Sequence, residues 1–165
     1  MYKRQIEWCL EYCHRQLNVD GVVKSDSDEL ENRFPAGKAN LCTSSLYYDA
    51  LISAAYLGKA LKKEHKQIKS YQDRAAELYK NIDVYFARNV EGYDTYRYYD
   101  GNTVLRSWIC IPLTMGIYEQ AKGTVEALFS DKLWMENGLL TQSGTSTYWD
   151  RSTPVSYTHL TLPTK

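Results

Sequence analysis

Apolar residues recur every three or four positions in four stretches of this 165-residue chain, at 6–17, 40–63, 67–88 and 124–135. This spacing places apolar side chains on one face of a helix, because an α-helix turns once every 3.6 residues. Glycine, proline, asparagine and aspartate stand between the stretches, and these residues favour turns. The pattern therefore predicts an all-α fold of amphipathic helices joined by polar connections.

The two longest stretches have the most regular patterns. In 40–63, Asn40 or Thr43 is expected to cap the helix, and the stripe expected to face the core is Leu46, Ala50, Leu51, Ala54, Leu57 and Leu61. In 67–88, the corresponding stripe is Ile68, Tyr71, Ala75, Leu78, Ile82 and Tyr85.

The remaining segments are less regular. Residues 93–100 are aromatic and charged and lead into Asp100-Gly101, which predicts a short extended segment and a turn. Residues 104–118 are mostly apolar but are expected to break or kink at Pro112. Residues 138–150 are rich in serine, threonine and glycine and predict a loop. No stretch has the pattern of a strand that is long enough to build a sheet.

Charge and composition narrow the classes of partner. The chain has 20 basic and 20 acidic residues, which predicts neither a nucleic-acid nor a membrane-surface partner. No apolar run reaches the length that crosses a bilayer. The 15 tyrosines and 4 tryptophans suit carbohydrate recognition as well as core packing, since each combines a flat apolar face with a polar group. The four cysteines lack metal-ligand spacing with nearby histidines and are expected to be free thiols.

The two ends of the chain are related at the DNA level. Residues 1–5 can be encoded by GTG TAT AAG AGA CAG, with GTG as a start codon. The reverse complement, read two bases in, encodes residues 155–158 and begins a codon for His159. This relation predicts that residues 1–5 and 154–165 are adapter-derived and that 6–153 is a natural piece truncated at both ends.

The acidic stretch 24–35 is the main candidate for chemistry. Asp26, Asp28, Glu29 and Glu31 fall close together and are followed by Arg33. Crowded carboxylates repel one another, which can keep one of them protonated near neutral pH. The alternatives are a solvated loop or a helix-start cluster favoured by the helix dipole.

Several short motifs, in their order along the chain, resemble the (α/α)6-barrel glycosidases, and in particular the trehalase and processing α-glucosidase group. The motifs are Asn40-Leu41 leading to Ala-Ala-Tyr-Leu-Gly-Lys-Ala-Leu at 54–61, Arg-Ala-Ala at 74–76, the Tyr-Asp stretch at 93–100, Ile-Pro-Leu-Thr-Met-Gly at 111–116, Gly-Leu-Leu-Thr at 138–141 and Tyr-Trp-Asp-Arg-Ser at 148–152. The resemblance implies a partial (α/α)6 toroid of antiparallel helix hairpins, a carbohydrate substrate and no cofactor or metal.

The resemblance also implies a site. Glu29, four residues before Arg33, takes the position of the family's catalytic acid, with the adjacent Asp28 as the alternative, although the Ser-Gly part of the family's Glu-Ser-Gly-x-Asp-x-Ser-x-Arg motif is absent. Substrate-binding roles fall on Arg33, Tyr148, Trp149, Asp150 and Arg151; the family has Tyr-Trp-Arg-Gly-Pro where this chain has Tyr-Trp-Asp-Arg-Ser. The base is expected on a later hairpin, so this piece alone is expected to be inactive while its parent inverts configuration.

Two other readings stay open. The stretch 144–150 also resembles a loop of α-L-rhamnosidase-like enzymes that share the barrel, and because that loop ends in their second carboxylate, the resemblance makes Asp150 an alternative base. A non-catalytic helical-repeat interaction module is the alternative of a different class. Repeat proteins have a fixed period and uniform linkers, whereas the linkers here run to about twenty and about fifteen residues with no period, which favours the barrel.

Overall fold

Three long helices form the body of the protein: α1 (Tyr2–Arg15), α2 (Leu41–Ala60) and α3 (His65–Phe86). The computed structural model describes residues 2–27, 34–136 and 138–144. Two further α-helices, one 3-10 helix and four short strands complete the described part of the chain, which is therefore predominantly helical, as the predicted all-α class requires, although it also contains short strands. These elements are β1 (Ala87–Val90), β2 (Tyr93–Tyr96), the 3-10 helix Ser107–Cys110, α4 (Ile111–Thr114), α5 (Ala121–Leu128), β3 (Trp134–Met135) and β4 (Gly138–Leu139).

Helices α2 and α3 make the most extensive contact in the molecule. The buried face of α2 differs from the predicted stripe, because Leu46, Leu57 and Leu61 are exposed. Small residues are among those buried instead, and a Cβ on Gly58 would lie 3.1 Å from Ile68 Cγ1. Helix α3 therefore approaches α2 closely at Gly58. The buried residues of α2 are Leu41, Cys42, Ser44, Ser45, Tyr47, Leu51, Ala54, Ala55 and Gly58.

A β-hairpin follows α3 directly. Helix α3 ends at Phe86, two residues before the predicted end at Arg88, because the chain turns to extended geometry at Ala87. Strands β1 and β2 pair antiparallel across a turn in which Glu91 and Gly92 have positive φ angles of 52° and 97°. The extended segment predicted for 93–100 is confirmed over β2.

The last described part of the chain corrects one predicted helix. Pro112 lies in the first turn of α4, after the 3-10 helix, which agrees with the predicted break. Helix α5, however, ends at Leu128 instead of continuing to Met135. Ser130 Oγ donates to Ala127 O and turns the chain, a local bond that competes with helix extension. Residues Trp134–Met135 then pair with Gly138–Leu139.

Helix α5 packs tightly on the β-hairpin. A Cβ on Gly123 would lie 1.8 Å from Asp94 O, so only glycine fits at this crossing. The Oγ1 atoms of Thr95 and Thr124 are 2.7 Å apart in a buried hydrogen bond at the same contact. The hairpin is thereby fixed against the helical body.

Helix α1 is the least buried of the three long helices. Leu10 is buried, whereas Trp8, Tyr12 and Ile6 are exposed. Arg4 and Gln5, in the segment assigned to the adapter, are exposed members of the same helix. A hydrogen bond from Arg74 to the Glu11 carboxylate, 3.1 Å long, ties α1 to α3.

Candidate functional site

The connections that precede α2 and follow β2 gather at the N-terminal end of α2, which we call the loop end. Backbone bridges pair Lys24 with Ala39 and Asn40 with Tyr99 at this end. Leu41 N donates to Tyr98 O at 2.9 Å, which brings the segment after β2 to the start of α2. Segments far apart in sequence therefore meet around the helix N-terminus.

Asn40 organises the loop end. It is completely buried, and its Oδ1 accepts from Thr43 N at 2.8 Å, which confirms the predicted cap. Its Nδ2 donates to Ser27 O at 3.1 Å, and Ser25 Oγ donates to the same carbonyl at 2.5 Å. One buried amide thus caps α2 and fixes the start of the acidic stretch.

An arginine enclosed by aromatic rings lies beside Asn40. The Arg106 side chain is almost fully buried, and its Cζ lies 5.0 Å from the Tyr98 ring centroid, 5.3 Å from Tyr99 and 5.6 Å from Phe34. Trp108 supports Tyr98 edge-on, with ring centroids 6.3 Å apart. We call Phe34, Tyr98, Tyr99 and Arg106 the arginine cluster.

Gly37 allows the rings of the arginine cluster to approach the chain. Its φ is 71°, and a Cβ there would lie 2.6 Å from Tyr99 Cβ. Both the backbone conformation and the lack of space require glycine. The exit of the acidic stretch is therefore held against the arginine cluster by backbone geometry.

The Ser/Thr/Gly loop joins the loop end from the other side. Arg106 pairs with Gln142 in a backbone bridge, and Ser107 N donates to Thr141 O at 3.1 Å. Glu91 Oε2 accepts from Ser143 Oγ at 2.5 Å and from Leu105 N at 3.2 Å. Glu91, at its positive φ, thus anchors residues 141–144 to the segment that carries Arg106.

The predicted catalytic and binding residues lie outside the described residues. These are Asp28, Glu29, Arg33, Tyr148, Trp149, Asp150 and Arg151. Their nearest described neighbours are Ser27, Phe34 and Gly144. Ser27 is bonded to Asn40, Phe34 packs on Arg106, and Arg106 is bridged to Gln142, two residues before Gly144. The described flanks of both predicted site segments therefore meet at the arginine cluster.

Arg106 and Glu91 were not among the predicted site residues. Arg106 interrupts a mostly apolar run from Val104 to Ile109, and a charge in such a run signals a buried, partnered side chain. Glu91 carries no comparable signal, because its role depends on a turn conformation and on contacts distant in sequence.

A groove of about 730 Å³ opens at the loop end on the side of α1. Among its lining residues are Tyr12, Gln16, Lys24, Ser25, Asp26, Lys38 and Thr43. The groove therefore borders the first residues of the acidic stretch, whereas the arginine cluster borders its exit.

The described groups at the loop end suit binding better than nucleophilic chemistry. Burial raises the pKa of the Cys13 thiol, which lines the groove, and the nearby Cys9 raises it further. Burial also raises the pKa of Cys110. Both thiols are therefore protonated at neutral pH and are weak nucleophiles. All four cysteines are free, as predicted.

Comparison with known proteins assigns no family to this chain. No protein-family model matches the chain, and no curated protein matches it significantly. Within the described residues, none of the helices combines the length and apolar character needed to span a bilayer.

Proposed function

We propose that this chain is part of the catalytic domain of a glycoside hydrolase with an (α/α)6 toroid, and that its loop end faces the sugar. The observation that carries the proposal is the meeting of the flanks of 28–33 and of 145–151 at the arginine cluster. Both segments must reach one sugar ring if they form one site. An antiparallel α2–α3 hairpin with long polar connections at one end suits such a toroid.

In this proposal, Glu29 protonates the leaving oxygen, with Asp28 as the alternative acid. A second carboxylate activates water on the opposite face of the sugar; in inverting enzymes the two carboxyl groups lie about 6.5–9.5 Å apart. Asp150 and the basic side chains of Arg33 and Arg151 bind sugar hydroxyls. Tyr148 and Trp149 stack on the sugar ring, and no cofactor takes part.

The anchoring of the acidic stretch supports this role for Glu29. A general acid acts only when it is held within hydrogen-bond reach of the leaving oxygen. Asn40 Nδ2 and Ser25 Oγ both bind Ser27 O, two residues before Glu29. Bonds from a fully buried amide fix the chain there more firmly than a solvated loop requires.

The test uses the enzyme encoded by the complete gene, with aryl α-glucosides and aryl α-L-rhamnosides as substrates. Glu29→Gln is expected to lower kcat by at least about a thousandfold with little change in sugar binding, because the acid acts mainly in the transition state. Trp149→Ala is expected to raise KM more than it lowers kcat. Glu77→Gln, an exposed change on α3, is the matched control.

The two substrates separate the glucosidase from the rhamnosidase alternative. Normal turnover in both Glu29→Gln and Asp28→Asn would show that neither carboxylate of the acidic stretch acts as the catalytic acid. An intact enzyme that cleaves no glycoside would contradict the proposed function as a whole.

A further inference from the structure

The groove beside α1 has the size and lining of a ligand site. Its volume of about 730 Å³ lies within the range of roughly 300–1,000 Å³ that small-molecule sites occupy. That volume accommodates a short oligosaccharide as well as a single sugar ring. We call it the α1 groove.

The polar side chains of the α1 groove are available to a ligand. In the described part of the chain, the side chains of Gln16, Asp26, Lys38 and Thr43 form no hydrogen bond or ion pair with one another or with their neighbours. Together they offer an amide, a carboxylate, an ammonium group and a hydroxyl. This mixture of donors and acceptors matches a ligand covered with hydroxyl groups.

An aromatic surface extends from the α1 groove along the helix. Tyr12 lines the groove, and Trp8 stacks on it from one helical turn away, with centroids 5.6 Å apart and planes inclined by 20°. Trp8 is 62% exposed and Tyr12 is 47% exposed. Flat, exposed rings next to hydrogen-bonding groups suit the C–H faces and the hydroxyls of successive sugar units.

The α1 groove borders the start of the acidic stretch, and the arginine cluster borders its exit. Asp26 lines the groove, and the next residue, Ser27, is bonded to Asn40 beside the cluster. A ligand that extends from the groove past Asp26 would therefore approach the part of the acidic stretch that Asn40 holds.

We propose that the α1 groove is a second carbohydrate subsite, which holds the sugar units beyond the bond that is cleaved. Tyr12 and Trp8 form its stacking surface, and Gln16, Asp26, Lys38 and Thr43 bind its hydroxyls. The position of the groove relative to the cleaved bond rests on the proposed function, whereas its binding of oligosaccharides is measurable without turnover.

The experiment measures binding to the ¹⁵N-labelled full chain by NMR. The probes are methyl glycosides and a panel of soluble oligosaccharides of three to six units, built from hexoses, 6-deoxyhexoses or uronic acids. At least one oligosaccharide is expected to bind more tightly than its methyl glycoside and to shift the amide signals of Tyr12, Gln16 and Thr43. Trp8→Ala and Tyr12→Ala are each expected to weaken that binding by about tenfold, the effect of losing one aromatic contact. Tyr12→Phe, which keeps the ring, is expected to retain it.

The control is Tyr56→Ala, which removes an exposed aromatic residue from α2 that does not line the α1 groove. The subsite is overturned if no oligosaccharide binds, or if both alanine variants bind as tightly as the wild type. Turnover of aryl glycosides in the complete enzyme reports separately on the proposed function. The complete enzyme could be active while its KM for oligosaccharides does not change in Trp8→Ala and Tyr12→Ala. That result would support the proposed function and refute the subsite.

Discussion

Arg106 illustrates how one side chain at the loop end joins several segments. Its guanidinium faces the rings of Tyr98, Tyr99 and Phe34, and its backbone pairs with Gln142. A planar, weakly hydrated guanidinium suits such stacking, whereas the compact, strongly hydrated ammonium group of lysine does not.

Arg106→Lys is accordingly expected to lower the free energy of unfolding by about 1–3 kcal/mol, because a buried ammonium group loses hydration without regaining the planar contacts. Urea unfolding followed by circular dichroism measures the change. Arg88→Lys, at an exposed arginine of β1, should change it by less than about 0.5 kcal/mol. Equal effects in the two variants would show that the stacking contributes nothing.

Individual residues were predictable where the signal was local. Asn40 was identified as a cap because asparagine before an apolar helical run is a local pattern. Its second hydrogen bond, to Ser27 O, depends on a partner 13 residues away and has no local pattern. The burial of Arg106 likewise depends on rings that are contributed by two other segments.

At the scale of elements, periodicity located the long helices within a few residues of their observed bounds. It failed on the buried face of α2, which includes serine, alanine and glycine, whereas three of the predicted leucines are exposed. Hydrophobic periodicity does not detect an interface of small residues, because close approach of the helices replaces side-chain bulk there. Periodicity also predicted that α5 continues past Ser130, where a hydrogen bond from the Ser130 side chain turns the chain instead.

The contact of α5 with β2 gives a sharp prediction. Gly123→Ala is expected to destabilise the protein by at least about 2 kcal/mol, since the new methyl group would collide with backbone rather than with a movable side chain. Lys122→Ala changes the neighbouring exposed position of the same helix and should cost less than about 0.5 kcal/mol. Urea unfolding of both variants measures the difference; a Gly123→Ala variant as stable as Lys122→Ala would show that α5 can move away from β2.

For the whole molecule, the sequence predicted the helical class and the loops that were candidates for chemistry. It did not predict the contacts that bring the flanks of these loops to one end of α2, because those contacts depend on pairs such as Glu91 and Ser143, which are 52 residues apart. The sequence also did not predict the α1 groove, since its lining residues come from α1, α2, α3 and the connections between them.

Buried tyrosines make the stability of the whole fold sensitive to alkaline pH. Burial raises the pKa of Tyr47 to about 12 and also raises that of Tyr96. In the unfolded chain a tyrosine ionises near pH 10. The folded state therefore holds these protons more tightly, so their contribution is fully present below pH 10 and is lost as the pH rises towards 12.

Tyr47→Phe has no hydroxyl to ionise and should lose less stability on going from pH 8 to pH 11.5. We expect the wild type to lose about 1–2 kcal/mol more than the variant over this interval. Urea unfolding at the two pH values measures the loss, with Tyr56→Phe, at an exposed tyrosine, as the control. Identical losses in Tyr47→Phe and the wild type would assign the alkaline sensitivity to other groups.

The hydrogen bond between Ser143 and Glu91 also has a consequence for the order in which the protein is made. On the ribosome, α2, α3 and the β-hairpin are complete once residue 96 has been synthesised, and they are joined to one another by short connections. Ser143, the partner of the Glu91 carboxylate, is synthesised 52 residues after Glu91. A growing chain therefore possesses the partners for the contacts of Asn40 and Leu41 with Ser27, Tyr98 and Tyr99 well before it can anchor residues 141–144, so this anchor is the last part of the loop end to form.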